Sequence, residues 1–250
     1  LVKIFDPVFA YEELKTIEDP WDLLRKACEL AEGRVAVGVS GHHTATAILG
    51  GACKQGIPIR AYIIDTKRLF PETYAYLEEL ERTFKIPIER YEPDPVEVEK
   101  MVNQHGLYLF FDSRAKQEYC CFIRKVKPNR KALETMDIWV TGLRKDQSPF
   151  RKDTKKVELV EVERPQGGKR TMVKLNPLAD WTEEDVWKFM EENNFPVHPL
   201  LKRDGGDWYY ESLGCIICTT PQARWEPPRA GRWRWFKEDN DPKECGIHTR

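Results

Sequence analysis

Two cysteine pairs carry the residue types and spacing from which chemistry could be built. Cys120 and Cys121 are adjacent, and Cys215 and Cys218 form a Cys-x-x-Cys far downstream. Neighbouring positions meet disulfide geometry poorly. A Cys-x-x-Cys lets two thiolates reach one metal centre, and the two pairs together supply four, the number used by tetrahedral zinc or by an iron–sulfur cluster. Adjacent cysteines fit a single small zinc ion badly, whereas two irons of one cubane accommodate them more easily. The alternative for any cysteine is a buried small hydrophobe, which is the reading for Cys28 and Cys53, each inside a helical pattern. Arg114, Lys116, Arg124 and Lys125 flank the adjacent pair. A centre held by four thiolates is anionic, and Arg124 and Lys125 would offset that charge.

The seventh cysteine, Cys245, has Lys243 before it and His248 after it. Cationic neighbours favour the thiolate, so Cys245 is either a nucleophile or an ordinary terminal cysteine. Two arginine-bearing stretches add anion-binding capacity. "GLRKDQSPFR" holds Arg144 and Arg151, and "RAGRWRW" holds Arg229 and Arg232. Arginine reads sulfate and phosphate through paired hydrogen bonds, although surface pairing with carboxylates is its commoner use.

The elements that must position these residues follow from apolar patterning. "RVAVGV" (34–39) reads as a buried strand, followed by a turn at Ser40-Gly41 and a helix to about Lys54. Further strands are expected over 58–65, 86–93 and 137–143, with helices over 71–84 and 95–106 between them. Alternating strands and helices imply an α/β fold, a parallel twisted sheet flanked by helices, with ligands bound beyond the carboxyl ends of its strands. Ser40-Gly41, Asp65-Thr66 and the stretch from Gly142 to Arg151 all fall there. A hairpin turning at Gln166-Gly167-Gly168 comes next, then an amphipathic helix opened by Thr182-x-x-Asp185. Beyond Asn194 the chain is rich in Pro, Gly and Trp and reads as irregular.

The 250 residues suit one large domain or one domain with an appended lobe. We expect a body over 1–235 and a mobile, cysteine-bearing tail over 236–250. Net charge is −1 overall, yet residues 114–156 hold thirteen Lys/Arg against five Asp/Glu, an excess of eight. That excess suits a small anionic ligand or an anionic cluster; a solvated basic face is the alternative. No apolar run has the length of a membrane span and no signal-peptide pattern opens the chain, so a cytoplasmic location with reduced thiols is expected.

Together these residues resemble the assimilatory sulfonucleotide reductases, most closely the adenylyl-sulfate (APS) reductases that carry a [4Fe-4S] cluster. The resemblance runs from about Val35 to His248 and rests on "IIDTKRLFPETY", "CCFIRKVKP", "VTGLRKDQSPFR", "VKLNPLADWTEEDVW", "GCIIC", "RAGRW" and "ECGIH". It implies an adenine-nucleotide α-hydrolase-like sheet and a thiol-dependent reduction of APS to sulfite and AMP. On that resemblance Cys245 is the nucleophile, passing through an S-sulfocysteine released by thioredoxin or a similar dithiol, and His248 lies beside it. Cys120, Cys121, Cys215 and Cys218 are the cluster ligands, and Lys125 stands between cluster and substrate. Arg144, Arg229 and Arg232 clamp phosphate and sulfate. Ser40, Gly41, His42, His43, Thr44, Asp65, Thr66, Gly142, Gln147, Ser148 and Arg151 complete the substrate site. A homo-oligomer is expected, with no nucleic-acid or membrane partner.

Two departures bear on the nucleotide. "SGHHTATA" places His42, His43 and Thr44 where the family has Ser-Gly, a small residue and two acids, or a glycine-rich variant, and Lys67 stands where glycine tends to follow Asp-Thr. Rival readings are a reductase for the 3′-phosphorylated relative of APS (PAPS) or for both nucleotides, a tRNA-thiolation enzyme on the same sheet, and a non-catalytic iron–sulfur sensor. Thr44 in place of an acid argues against the thiolation reading; Cys245 and the arginine loops are left over by the sensor.

Overall fold

The computed structural model describes residues 5–201, 205–227, 229–236 and Ile247. Its centre is a six-stranded sheet. β1 (Val35–Gly38), β2 (Arg60–Ile64), β3 (Ile88–Tyr91) and β4 (Ile138–Val140) are joined by β5 (Val157–Glu163) and β6 (Lys169–Leu175) in the order β3-β2-β1-β4-β6-β5. All neighbours are parallel except β5 and β6, which form the expected hairpin with Gly167 and Gly168 at positive φ in its turn. The strand order reverses beside β1, between β2 and β4. A crevice opens at such a point because the crossovers leave in opposite directions.

Each face of the sheet is read out by alternation. Val35, Val37, Ala61, Ile63, Ile138, Val140, Val173 and Leu175 point to the larger core. Ala36, Tyr62, Trp139 and Met172 point to the other face, under Ala132, Leu133 and Met136. The larger face is covered by α1 (Pro7–Leu14), α2 (Pro20–Leu30), α3 (His43–Lys54), α4 (Pro71–Phe84) and α8 (Glu183–Glu192), whose buried residues join that core. Three helices begin on the same device, an Asp-Pro step. Asp6, Asp19 and, in α5 (Pro95–His105), Asp94 cap the first free N–H groups, and the following proline takes the first helical position. Thr182 and Asp185 form the expected capping box on α8.

The α1–α2 pair and the stretch from 107 to 136 were not assigned in the sequence. The latter holds α6 (Arg114–Cys121), a π turn over Phe122–Val126, and α7 (Lys127–Leu133). The Lys127 N–H reaches back to the Phe122 carbonyl, five residues away. Among the described residues, the chain beyond Asn194 contributes no strand to the main sheet; β7 (Trp208–Tyr209) and β8 (Gln222–Ala223) form a short two-stranded ribbon. Of the expected tail, only Phe236 and Ile247 belong to the described residues; Cys245 and His248 lie outside them.

Candidate active site

A cleft of about 1160 Å³ opens at the carboxyl ends of β1, β2 and β4. It collects Ser40, His42, His43, Thr44, Thr66, Lys125, Gly142, Arg144, Gln147, Ser148, Arg151, Arg229 and Arg232 from the sequence expectation, together with Ile247. Gly41 and Asp65 are not on its lining. Gly41 turns the loop at φ +81, and a Cβ there would stand 3.1 Å from His198 Cδ2. Asp65 is buried beneath the turn after β2, where it accepts from the Lys67 N–H at 2.8 Å and from the Tyr74 hydroxyl at 2.8 Å. Lys67 itself adopts φ +56, a left-handed conformation that glycine takes without strain.

One wall is a polar network around the start of α3. His43 is buried and stacked between His42, with ring centroids 4.0 Å apart, and Trp187 at 4.7 Å. Its Nε2 lies 2.9 Å from Glu183 Oε2, and Trp187 Nε1 donates to Glu183 Oε1 at 2.9 Å. Burial alone would raise the Glu183 carboxyl, but the hydrogen bond and charge of His43, with the Arg144 guanidinium, hold it well below the usual carboxylate range. Glu183 is therefore an ionised acceptor and His43 Nε2 carries the proton. Burial, reinforced by His43, pushes His42 well below its ordinary value, so it stays neutral. Arg144 is 1% exposed, and all three of its nitrogens donate within the chain: Nε to Asp146 at 3.0 Å, Nη1 to Thr44 Oγ1, and Nη2 to Asp146 and Glu183. Gln147 ties the same loop by donating to the Gly142 carbonyl at 3.1 Å and accepting from Arg151.

The thiols lie behind the cleft lining and reach it through Thr66. Cys120, Cys215 and Cys218 are buried, and the fold brings the two distant pairs close enough for Cys215 to act electrostatically on both Cys120 and Cys218. Cys121 is half-buried, with Gln117 Nε2 3.8 Å from its sulfur. Cys215 Sγ donates to Thr66 Oγ1 at 3.2 Å, and Arg124 Nη1 donates to the Thr66 carbonyl at 2.9 Å, so Thr66 joins the thiols to the cleft. Burial raises Cys120, and it pushes Cys218 up to about 12 despite Lys125 and Arg232. Arg232 lies against Gly214, where an added Cβ would meet its guanidinium at 2.3 to 2.7 Å.

Among the described residues, no group of three or more His, Cys, Asp or Glu side chains converges closely enough for a metal ion. Ligands of a multi-iron centre bind different irons and need not converge on one point. The surroundings fit an anionic centre. Arg68 Nη1, Arg124 Nε, Arg232 Nε and Thr219 Oγ1 are buried without partners, and Arg68, Arg124, Lys125 and Arg232 all act electrostatically on the thiols. Orphaned buried donors cost stability unless an acceptor satisfies them.

The model of the phosphoadenosine phosphosulfate reductase domain matches residues 34–221. The chain belongs to this family. It is 40% identical over 186 residues to the adenosine 5'-phosphosulfate reductase of Rhizobium tropici, covering 74% of this chain and 96% of that protein. It is 37% identical over 245 residues to the chloroplastic 5'-adenylylsulfate reductase 1 of Arabidopsis thaliana, covering 95% of this chain. The chain spans about half the length (50%) of that plant relative. The phosphoadenylyl-sulfate (PAPS) reductase of Candida auris, solved as a phosphate complex, superposes with a TM-score of 0.65 at 25% identity, covering 88% of this chain and 98% of that one. Several lining residues were not singled out in the sequence, Glu183, Asn129 and Tyr209 among them. Glu183 lay in a helix cap, and no local pattern distinguishes it from an ordinary exposed carboxylate.

Proposed function

We propose that the chain is an adenylyl-sulfate reductase that converts APS to sulfite and AMP through an S-sulfocysteine on Cys245. The observation that carries this reading is the cleft itself, where Lys125, Arg151, Arg229 and Arg232 gather at the strand ends, with Cys215 behind it bonded to the lining residue Thr66. Ile247, two residues beyond Cys245, lines the same cleft.

Cys245 thiolate attacks the sulfur of the sulfo group. A sulfur–sulfur bond forms, the bond to the bridging phosphate oxygen breaks, and AMP leaves. Negative charge grows on that oxygen, and Lys125, Arg229 and Arg232 stabilise it; fixed cations in a water-poor cleft act most strongly on developing charge. A dithiol donor of the thioredoxin class then attacks Cys245 Sγ, releasing sulfite and leaving the donor as a disulfide, which balances the two electrons. His248 orients the thiolate. Ser40, Gly41, Thr44 and the N-terminus of α3 present N–H groups to the nucleotide. Cys120, Cys121, Cys215 and Cys218 hold a [4Fe-4S] cluster, which supplies an anionic, polarisable neighbour to Lys125. A cytoplasmic setting, in which thiols stay reduced, suits this chemistry. Exposed Leu107, Tyr108 and Phe111 support a homo-oligomer.

Preference for APS over PAPS is supported by Lys67. Its ammonium is held by Glu92 and by Asp65 at 3.4 Å rather than offered to a second phosphate. The test is intact-protein mass spectrometry after anaerobic incubation with APS and no thiol donor. A sulfonate adduct on the Cys245 peptide, absent in Cys245→Ser, is expected. No adduct from protein loaded with iron and sulfide overturns the reading.

A further inference from the structure

Part of the cleft lining is a buried polar chain that the reaction as written does not use. Tyr62 of β2, Trp139 of β4 and Asn129 of α7 all line the cleft, and each is more than nine-tenths buried. The three are joined in order. An indole can only donate, so the hydrogen bond between Trp139 and Tyr62 runs from Nε1 to the phenol oxygen. The Tyr62 hydroxyl keeps one proton to give, and Asn129 Oδ1 accepts it at 3.2 Å. Burial raises the phenol well above its ordinary value, so this proton stays in place. The direction of the amide follows. With the amide turned over, the hydroxyl would face two donors and its own proton would lose its acceptor. Oδ1 is therefore held by Tyr62, and Nδ2 is left to donate elsewhere. The Asn129 side chain makes no other hydrogen bond among the described residues. Two neighbours show which end of a ligand would meet it. Cys121, Lys125 and Asn129 follow one another at intervals of four along the continuous run of α6, the π turn and α7, and Lys125 lines the cleft with Asn129. Ile247 packs on the cluster that contains Tyr62 and Trp139, and Cys245 precedes it by two residues.

We propose that Asn129 is a further catalytic residue, whose Nδ2 donates a hydrogen bond to a sulfo oxygen of the bound sulfonucleotide, and that Tyr62 and Trp139 are the positioning residues that aim it. The inference rests on the cleft being a sulfonucleotide site with Cys245 as its nucleophile. Lys125, Arg229 and Arg232 answer the charge that grows on the leaving phosphate oxygen. The sulfo oxygens carry their charge throughout, so what they need is to be held with the sulfur facing the thiolate, and a fixed neutral donor does that. No proton crosses this contact. The bond formed is still the one from Cys245 Sγ to sulfur, and the bond broken is still the one from sulfur to the oxygen that leaves with AMP. The amide is already oriented before the ligand arrives, so little reorganisation is required at the moment of attack.

The experiment makes two measurements on the metal-loaded full chain. One is the rate at which APS sulfonates Cys245 in a single turnover without thiol donor, followed by mass spectrometry. The other is the affinity for AMP, which lacks the sulfo group, by calorimetry. Asn129→Leu, close in volume, is expected to slow sulfonation by about tenfold or more while AMP affinity stays unchanged. Tyr62→Phe removes only the hydroxyl and slows sulfonation several-fold. The double variant is no slower than Asn129→Leu, because the hydroxyl acts only through the amide. Melting curves verify folding, and Asn129→Ala takes the place of Asn129→Leu if the latter fails to fold. Sulfonation at the wild-type rate in the Asn129 variant overturns the inference. So does a loss of AMP affinity that matches the loss of rate, which would place the amide on the nucleotide. Additive losses in the double variant overturn the positioning role of Tyr62. Wild type that is not sulfonated at all overturns the reductase reading itself, so the two failures are distinguishable.

Discussion

At the scale of single residues, the site rests on exact hydrogen-bond roles. His198 is buried, and its Nδ1 accepts from the Leu200 N–H at 3.2 Å, so Nε2 carries the proton and donates to Thr73 Oγ1 at 3.0 Å. Burial pushes its pKa down to about 4, against a small opposing pull from Glu72. The unfolded chain therefore takes up this proton near the ordinary histidine value of about 6.5, and the folded chain only near 4. Its contribution to stability is complete above about 6.5 and is lost as pH falls through that window toward 4. Melting temperature followed from pH 7 to 4.5 should fall more steeply in wild type than in His198→Gln, and equal slopes would defeat the assignment. Gly214 makes a second residue-scale prediction. Gly214→Ala must push the Arg232 guanidinium away, and because the tip of a long side chain can yield, the fold tolerates it. Stability should change by under about 1 kcal/mol, while kcat for APS drops by about tenfold or more because a fixed cation is displaced. Large loss of stability with normal kcat would show that Arg232 serves packing instead.

At the scale of elements, backbone conformation decides which sequence signals were readable. The helix over Pro71–Phe84 has the limits expected from Pro71 and its apolar spacing, and the hairpin at 157–175 follows from alternation and its glycine turn. These patterns repeat within a few residues, so the sequence exposes them. The π turn at Phe122–Val126 does not repeat and has no residue signature; it needs one more residue per turn than an α-helix, and only packing selects it. The thiol wall was legible because four cysteines are rare and spaced. The Glu183 network was not, because its members come from three separate elements. Lys67 gives a backbone test of the turn after β2. At φ +56, Lys67→Gly should lie within about 1 kcal/mol of wild type, while Lys67→Val should cost about 2 kcal/mol, a β-branched residue being strained there. Equal urea midpoints for the two variants would mean the turn relaxes.

At the scale of the whole molecule, the sheet supplies a frame and the segment beyond Asn194 supplies one side of the cleft. That segment contributes no strand to the main sheet among the described residues. Pro196 and His198 tie its start to Tyr76 and Thr73, and from residue 205 on its hydrogen bonds to the body include Cys215 to Thr66, the Ile216 N–H to the Arg68 carbonyl at 2.8 Å, and Trp235 Nε1 to the Phe110 carbonyl at 3.1 Å. Limited proteolysis should therefore cut first within 200–236 once metal is stripped, with the sheet-bearing fragment persisting; cutting at equal rates with and without metal would refute this. The spacing of the two thiol pairs has a consequence for folding order. About ninety-four residues separate Cys121 from Cys215, and closing a loop of that length costs chain entropy that grows only slowly with length. Little is lost by leaving the closure to the last stage. The central strands can pair first, and the proposed cluster, held by the cysteines, would then act as a late fastener against a frame already built.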